Sequence, residues 1–441
     1  MSNLTLTLVA RLVLFGVATA IASPAIADDD LAARLDRIER EIRLLQGEPG
    51  GAGWSADRSQ AVRDLVADVL SDADSRSMLR DEPVSAGWKN RFYLADPSGA
   101  FRLEVLGRLQ VRYVWNHQPD EATDGDRAGF DIRRMFLEFQ GHVVDPSWRY
   151  RIITAMSSTG VMGVNDATIT KELGEGWSLT FGRFKLPFMR EALMSSKRLL
   201  AVDRSLIHQA WTLGRAGAVM VEYEHERWRM SAAVSNGENT TLAPALAEDT
   251  EFALTARGEF LLAGAWGSFN DFTSFRGDEA GVMLGVAVHA ERDESGTTFN
   301  PGTGLGNDDE RRFFSWTADL SVEGGGWNLY AAAVGRHTDR DSGNLDEYGF
   351  LVQGGVFVTE DLEFFARYEW ADDDTDADEL SVATIGFNRY FHKHTLKWTT
   401  DAGYGFNGVN GSFPSSGAGW RVDGVGEDGQ IVVRSQLQLL F

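Results

Sequence analysis

Arginine recurs on the polar side of extended, alternating stretches of this chain. Arg102, Arg108, Arg112, Arg134, Arg149 and Arg151 come first, then Arg227, Arg229, Arg257, Arg336, Arg367 and Arg434. A guanidinium stays charged at any relevant pH and presents a planar fork of donors that fits phosphate or carboxylate. Rings of Arg or Lys around one aqueous space favour anions, and a series of weak sites lets an ion both enter and leave. A second basic group lies between two such stretches: Lys185, Arg190, Lys197, Arg198, Arg204 and His208, against Glu191 and Asp203. The chemistry on offer is binding and release, with no bond made or broken. The competing reading pairs the arginines with Glu104, Glu138, Glu222, Glu251, Glu259, Glu363 and Glu369, which would leave a polar but unselective surface.

Other chemistry is thinly represented. No nucleophile elbow, Walker loop or zinc-protease motif is present. His392-x-His394 lacks further ligands nearby, and Asp372 to Asp378 lacks the glycine and terminal glutamate of a calcium loop, so no metal and no cofactor are expected. A hydrolase built on the same scaffold would need a Ser–His pair held together, and a purely structural or surface-binding role is a third reading. There is no cysteine, and the net charge of −23 argues against nucleic acid as a partner.

The elements that must position these cations have a period of two. From about Ala100, Leu103, Val105, Leu109, Val111, Tyr113 and Trp115 alternate with Arg102, Glu104, Arg108, Gln110 and Arg112. About sixteen such strands follow, centred near residues 108, 136, 152, 168, 180, 220, 231, 256, 285, 317, 332, 352, 366, 385, 399 and 435. Trp148, Trp177, Trp228, Trp327 and Tyr348 stand at or near strand ends, as in an interfacial aromatic girdle. In the last strand Ile431, Val433, Leu437, Leu439 and Phe441 share one face, and Val432, Arg434, Gln436 and Gln438 the other. Apolar-out with polar-in is the pattern of a transmembrane barrel.

Long or acidic connections alternate with short ones, as external loops and periplasmic turns must. The longest is Pro187 to Gly214, placed where it could fold into the lumen as a constriction. Ala263 to Glu279 breaks the alternation, because it should be a turn and is long. Arg183 and Lys185 share the parity of Phe181, so a break near Gly182 is required. The expected fold is all-β, a transmembrane antiparallel barrel of about sixteen strands over residues 100–441, with a short N-terminal helical or coiled-coil segment.

Before the barrel, residues 1–27 have the form of a signal peptide, with Arg11 before the apolar run Leu12 to Ala22 and Ala25-Ile26-Ala27 ahead of Asp28. Residues 28–46 carry a short heptad seam of Leu31, Leu35, Ile38, Ile42 and Leu45. Residues 47–99 read as a glycine-rich linker and an amphipathic helix near 59–80. Two heptads cannot hold an oligomer alone, so this helix would act together with a larger interface.

Gly182-Arg183-Phe184-Lys185-Leu186-Pro187-Phe188, followed by Ser195-Ser196-Lys197-Arg198 and Asp203-Arg204-Ser205, resembles the phosphate-selective porin O and P family. Phe130-Asp131-Ile132-Arg133-Arg134 and Gly386-Phe387-Asn388-Arg389-Tyr390 add to the likeness. The resemblance implies a trimeric channel in the bacterial outer membrane, embedded in its lipid and passing small anionic solutes such as phosphate. It also makes Phe441 the signal read by the barrel assembly machinery.

Overall fold

The computed structural model describes residues 84–89, 91–119, 125–156, 160–240, 250–293, 311–340, 343–375, 378–424 and 426–441. The signal, heptad and amphipathic-helix segments expected from the sequence lie outside these residues.

Among the described residues eighteen strands form one sheet. Two short ones come first, β1 (Ser85–Trp88) and β2 (Phe92–Ala95). Then follow β3 (Arg102–His117), β4 (Asp126–His142), β5 (Trp148–Met156), β6 (Met162–Gly174), β7 (Trp177–Lys185) and β8 (Arg215–Glu224). The chain continues through β9 (Trp228–Ser235), β10 (Thr250–Ala263), β11 (Gly281–Asp293), β12 (Arg311–Gly324) and β13 (Trp327–Arg340). The last are β14 (Leu345–Phe357), β15 (Leu362–Asp372), β16 (Leu380–His392), β17 (Leu396–Gly405) and β18 (Ile431–Leu440).

From β3 to β18 each strand pairs antiparallel with the next, and β18 closes on β3 from Leu440 opposite Arg108 to Ile431 opposite His117. This is a closed sixteen-strand barrel, and every strand centre expected from the sequence falls inside one of its strands. Closure satisfies the backbone polar groups that lipid cannot. On β18, Leu437, Leu439 and Phe441 are exposed to the outside, while Val432, Arg434, Gln436 and Gln438 are buried within.

The β1–β2 hairpin lies in the stretch expected as linker. Its strands are too short to display a period, so no alternation announced them. β2 pairs with β3 at Arg102 to Val105, on the same edge that β18 occupies from Arg108 onward. Phe441 fills the gap between them, exchanging backbone hydrogen bonds with Gly107. A Cβ at position 107 would overlap the Phe441 ring, so this position admits glycine alone without movement.

The hydrophobic core sits inside the barrel. Leu186, Phe188, Met189, Leu200, Leu206, Ile207 and Trp211 of the β7–β8 connection pack with Phe413 and Trp420 of the β17–β18 connection and with Tyr330 and Leu351 on the wall. The β7–β8 connection therefore folds inward, as expected of a constriction. It contains the short helices α1 (Arg190–Leu193) and α2 (Leu206–Trp211), the second capped by Ser205, whose hydroxyl accepts from the His208 N–H at 3.0 Å.

Candidate functional site

Asp203 is the hub of the inward loop. Its side chain is fully buried, and Arg112 Nη1, Arg134 Nη2 and Arg133 Nε reach it at 2.5, 2.5 and 3.0 Å. Two consecutive arginines point at one carboxylate because β4 carries a bulge: Gln110 opposes Arg134 and Val111 opposes Ile132, leaving Arg133 as the extra residue. Burial alone would raise the Asp203 carboxyl, but Arg134, Arg133, Arg112 and Arg434 together hold it well below the ordinary aspartate value. Arg112 and Arg134, read from the sequence as anion ligands, are thus engaged by the loop they anchor, and Asp131 adds a second carboxylate on Arg112 at 2.8 Å.

Most other wall arginines are paired as well. Arg102 meets Glu104 at 2.9 Å and Arg151 meets Glu138 at 2.6 Å, while Arg149 pairs with Glu172. Arg257 pairs with Asp319, Arg367 with Glu369 and Arg434 with Asp401, at 2.8, 2.9 and 2.7 Å. Several of these partners are aspartates facing the lumen, which the list of glutamates did not include. Glu363, one of the expected partners, instead accepts from Asn328, Asn388 and Tyr390.

The remaining candidates are cations whose hydrogen bonds go to neutral groups. Arg108 donates to Ser195 and Ser196, and Lys185 to the Ala192 carbonyl at 2.5 Å. Arg190 donates to the Phe269 carbonyl at 2.8 Å and Arg198 to the Asn270 carbonyl at 3.0 Å. Arg204 holds the Glu191 and Met194 carbonyls at 2.8 and 2.7 Å, inside the loop itself. Among the described residues none of these, nor Lys197, has a carboxylate in ion-pairing range. Burial, and then the neighbouring Arg108, push the Lys197 ammonium down to about 8.

Lys197 and Arg108 line a cavity of about 370 Å³ together with Arg91, Lys393, His392 and a single acid, Glu138. A second cavity of about 570 Å³ is balanced, with Arg149, Lys185, Arg229 and Arg257 against Glu172, Glu222, Glu224 and Glu259. Sequence reasoning missed Arg215, which opens β8 and pairs with Asp166. It also missed Arg91 and Lys393, which sit in short segments without a readable period. Gly182 does take an unusual backbone, φ 124°, as the parity of Arg183 and Lys185 required, yet pairing runs through it unbroken on both sides.

Among the described residues an arrangement like a hydrolase's triad is made by Thr255, His289 and Glu291, linked at 2.8 and 2.9 Å. All three are buried, and Glu291 accepts the backbone N–H of Glu238. The set holds a loop in place.

A closed sixteen-strand barrel with an inward loop and a lumen lined by charge is the geometry of a porin, and the model of the phosphate-selective porin O and P family matches residues 104–400. The chain belongs to that family. The porin is therefore a protein of the bacterial outer membrane. No curated protein matches its sequence. Among solved structures it is similar to the anion-selective porin from Comamonas acidovorans, at 12% identity and TM-score 0.54, over 77% of this chain and 99% of that one. It is also similar to the trimer form of OmpT of Vibrio cholerae, at 14% identity and TM-score 0.53, over 78% and 100%. A third is the outer-membrane channel DcaP of Acinetobacter baumannii, at 13% and 0.50, over 78% and 99%. At such identities these likenesses speak for the fold.

Proposed function

We propose that the porin is a passive diffusion channel that favours small anions, phosphate among them, and that it works as a homotrimer. The observation that carries the anion reading is the cavity shared by Arg108, Lys197 and Lys393 against Glu138, where Arg91 is already paired with Glu104 at 2.5 Å. Pairing has removed most wall arginines from the account, so these cations dominate the local field. A charge at a narrow, partly dehydrated site is screened less than one in open water and sets the barrier for an ion. Serine hydroxyls beside Arg108 replace part of an anion's hydration without fixing it. No chemical step and no cofactor enter this reading. The anion-selective porin and the trimeric OmpT among similar barrels support selectivity and assembly in the same sense.

The test is the reversal potential of the purified porin in a planar bilayer across a potassium chloride gradient. The native channel should prefer chloride, and Lys197→Glu should move the potential toward the potassium value. Cation preference in the native channel, or no movement in the variant, would end the reading. Steady silence with lipid turnover would point to an enzyme.

A further inference from the structure

The connection between β10 and β11, residues 264–280, lies at the end of the barrel where the other connections are short, yet it is long. At one end it is tied to the β8–β9 turn: Trp266 Nε1 donates to the His225 carbonyl at 3.2 Å, and Arg229 lies over the Trp266 ring at 3.7 Å. It then runs inward to Phe272, which packs on Tyr330 of β13 with ring centroids 4.8 Å apart. Asp271 meets His394 in the β16–β17 turn at 3.1 Å, and Thr273 bonds the Tyr390 hydroxyl at 3.0 Å. Arg276 closes the far end on the Phe357 carbonyl at 2.8 Å. In the ring, the β8–β9 and β16–β17 turns stand on opposite sides.

We infer that residues 264–280 form a fixed strap across the periplasmic mouth, which covers the β11–β16 side and leaves solute the side of β3–β10. On β17, β18 and β3 the wall is covered by the inward loop, which meets Asp401, Gln438 and Gln110, each at most 1% exposed, so the strap's own cover shows in the contrast with β5–β8. Under the strap Glu323, Tyr330, Gln353, Glu363 and Tyr390 are at most 4% exposed. On β5–β8 the side chains of Arg149, Arg151 and Glu224 are 57%, 46% and 63% exposed. The smaller charged cavity opens beside β3 and β4, and the larger one reaches from β5 and β6 across β8 to β9 and β10, beside the strap. The strap also supports the constriction from below, because the Phe269 and Asn270 carbonyls take Arg190 and Arg198, and the Phe272 N–H donates to the Arg198 carbonyl. It is thus a determinant of where and how widely the channel conducts. The inference rests on the chain being a water-filled channel and is independent of its preference for anions.

The experiment is single-channel recording of the full-length porin and two variants. In the first, Ala265–Glu279 is replaced by an Asn-Gly turn, which suits a two-residue hairpin. Removing the cover from that side of the mouth should raise conductance about twofold or more, since conductance follows the open cross-section. In the second, Trp266→Ala, Asp271→Ala and Arg276→Ala together release both ends and the contact between them while keeping the length, and should give frequent transitions to higher conductance. If native porin conducts and the second variant conducts identically, the strap inference is overturned, even should the shortened chain fail to insert. Silence of native porin would instead overturn the channel reading.

Discussion

At the scale of single residues the porin separates two kinds of cation. Those meeting Asp203 hold the inward loop, and those in the smaller cavity face water. Asp203 is held below the ordinary aspartate value of about 3.9. A depressed carboxyl contributes stability that is present above its unfolded value and lost only as pH falls through the folded one. Docking of the loop should therefore survive mild acid. Asp203→Asn leaves Arg112, Arg133 and Arg134 without their shared carboxylate, and breaking a buried pair of this kind costs about 3–5 kcal/mol. The heat-modifiable gel shift should accordingly occur at a distinctly lower temperature in that variant than in the parent. Lys197 supplies the opposite case. Its ammonium, held at about 8, is charged below that pH and neutral above it. Chloride preference should consequently fall between pH 7 and 9 (about one unit either side of that value), and Lys197→Arg should flatten the profile. A reversal potential independent of pH in the native channel would show that Lys197 stands away from the ion path.

At the scale of elements, alternation made the barrel legible because lipid and water impose opposite demands on neighbouring residues. That is why Leu103 to Trp115 and Ile431 to Phe441 were readable on sight. The same rule failed wherever the chain left a long strand. β1 and β2 are four residues each, too few to show a period. The bulge at Arg133 hides a change of face inside an unbroken strand. The burial of Leu206, Ile207 and Trp211 depends on a lumen that only the closed ring creates, so no local pattern announces it. The anomalous length of the β10–β11 connection was visible, but its course across the mouth was not. The fit of Phe441 over Gly107 gives a prediction at this scale. Gly107→Val should displace the ring, and deleting Phe441 should empty its place. Both should lower the amount of porin in the outer membrane while leaving export unchanged, as measured by fractionation and immunoblotting. Normal insertion of both variants would count against Phe441 as a residue read by the assembly machinery.

At the scale of the whole molecule, a net charge of −23 sits beside a cavity rich in cations. The two are compatible, because exposed carboxylates more than a Debye length of about 8 Å from the path are screened. Raising the salt should then change the access of anions far more than the preference at the constriction, a difference that conductance and reversal potential report separately. Assembly is also a property of this scale. Barrel-to-barrel contact should dominate a trimer, since a two-heptad seam contributes little alone. Removing Asp28 to Gln46 should leave trimers after mild extraction, and finding only monomers in the intact porin would sink the proposal.

The inward loop spans the joint between the first and last strands of the ring. Gln110 of β3 donates to the Ser196 carbonyl at 3.2 Å, and Gln438 of β18 donates to the Lys197 carbonyl at 3.1 Å. The joint is therefore bolted from inside by a segment that leaves the wall five strands away. Parting β3 from β18 means tearing out these contacts and flooding an apolar interior at the same moment. Such a step carries a high activation barrier, so the lifetime of the native state is governed by a rate more than by an equilibrium.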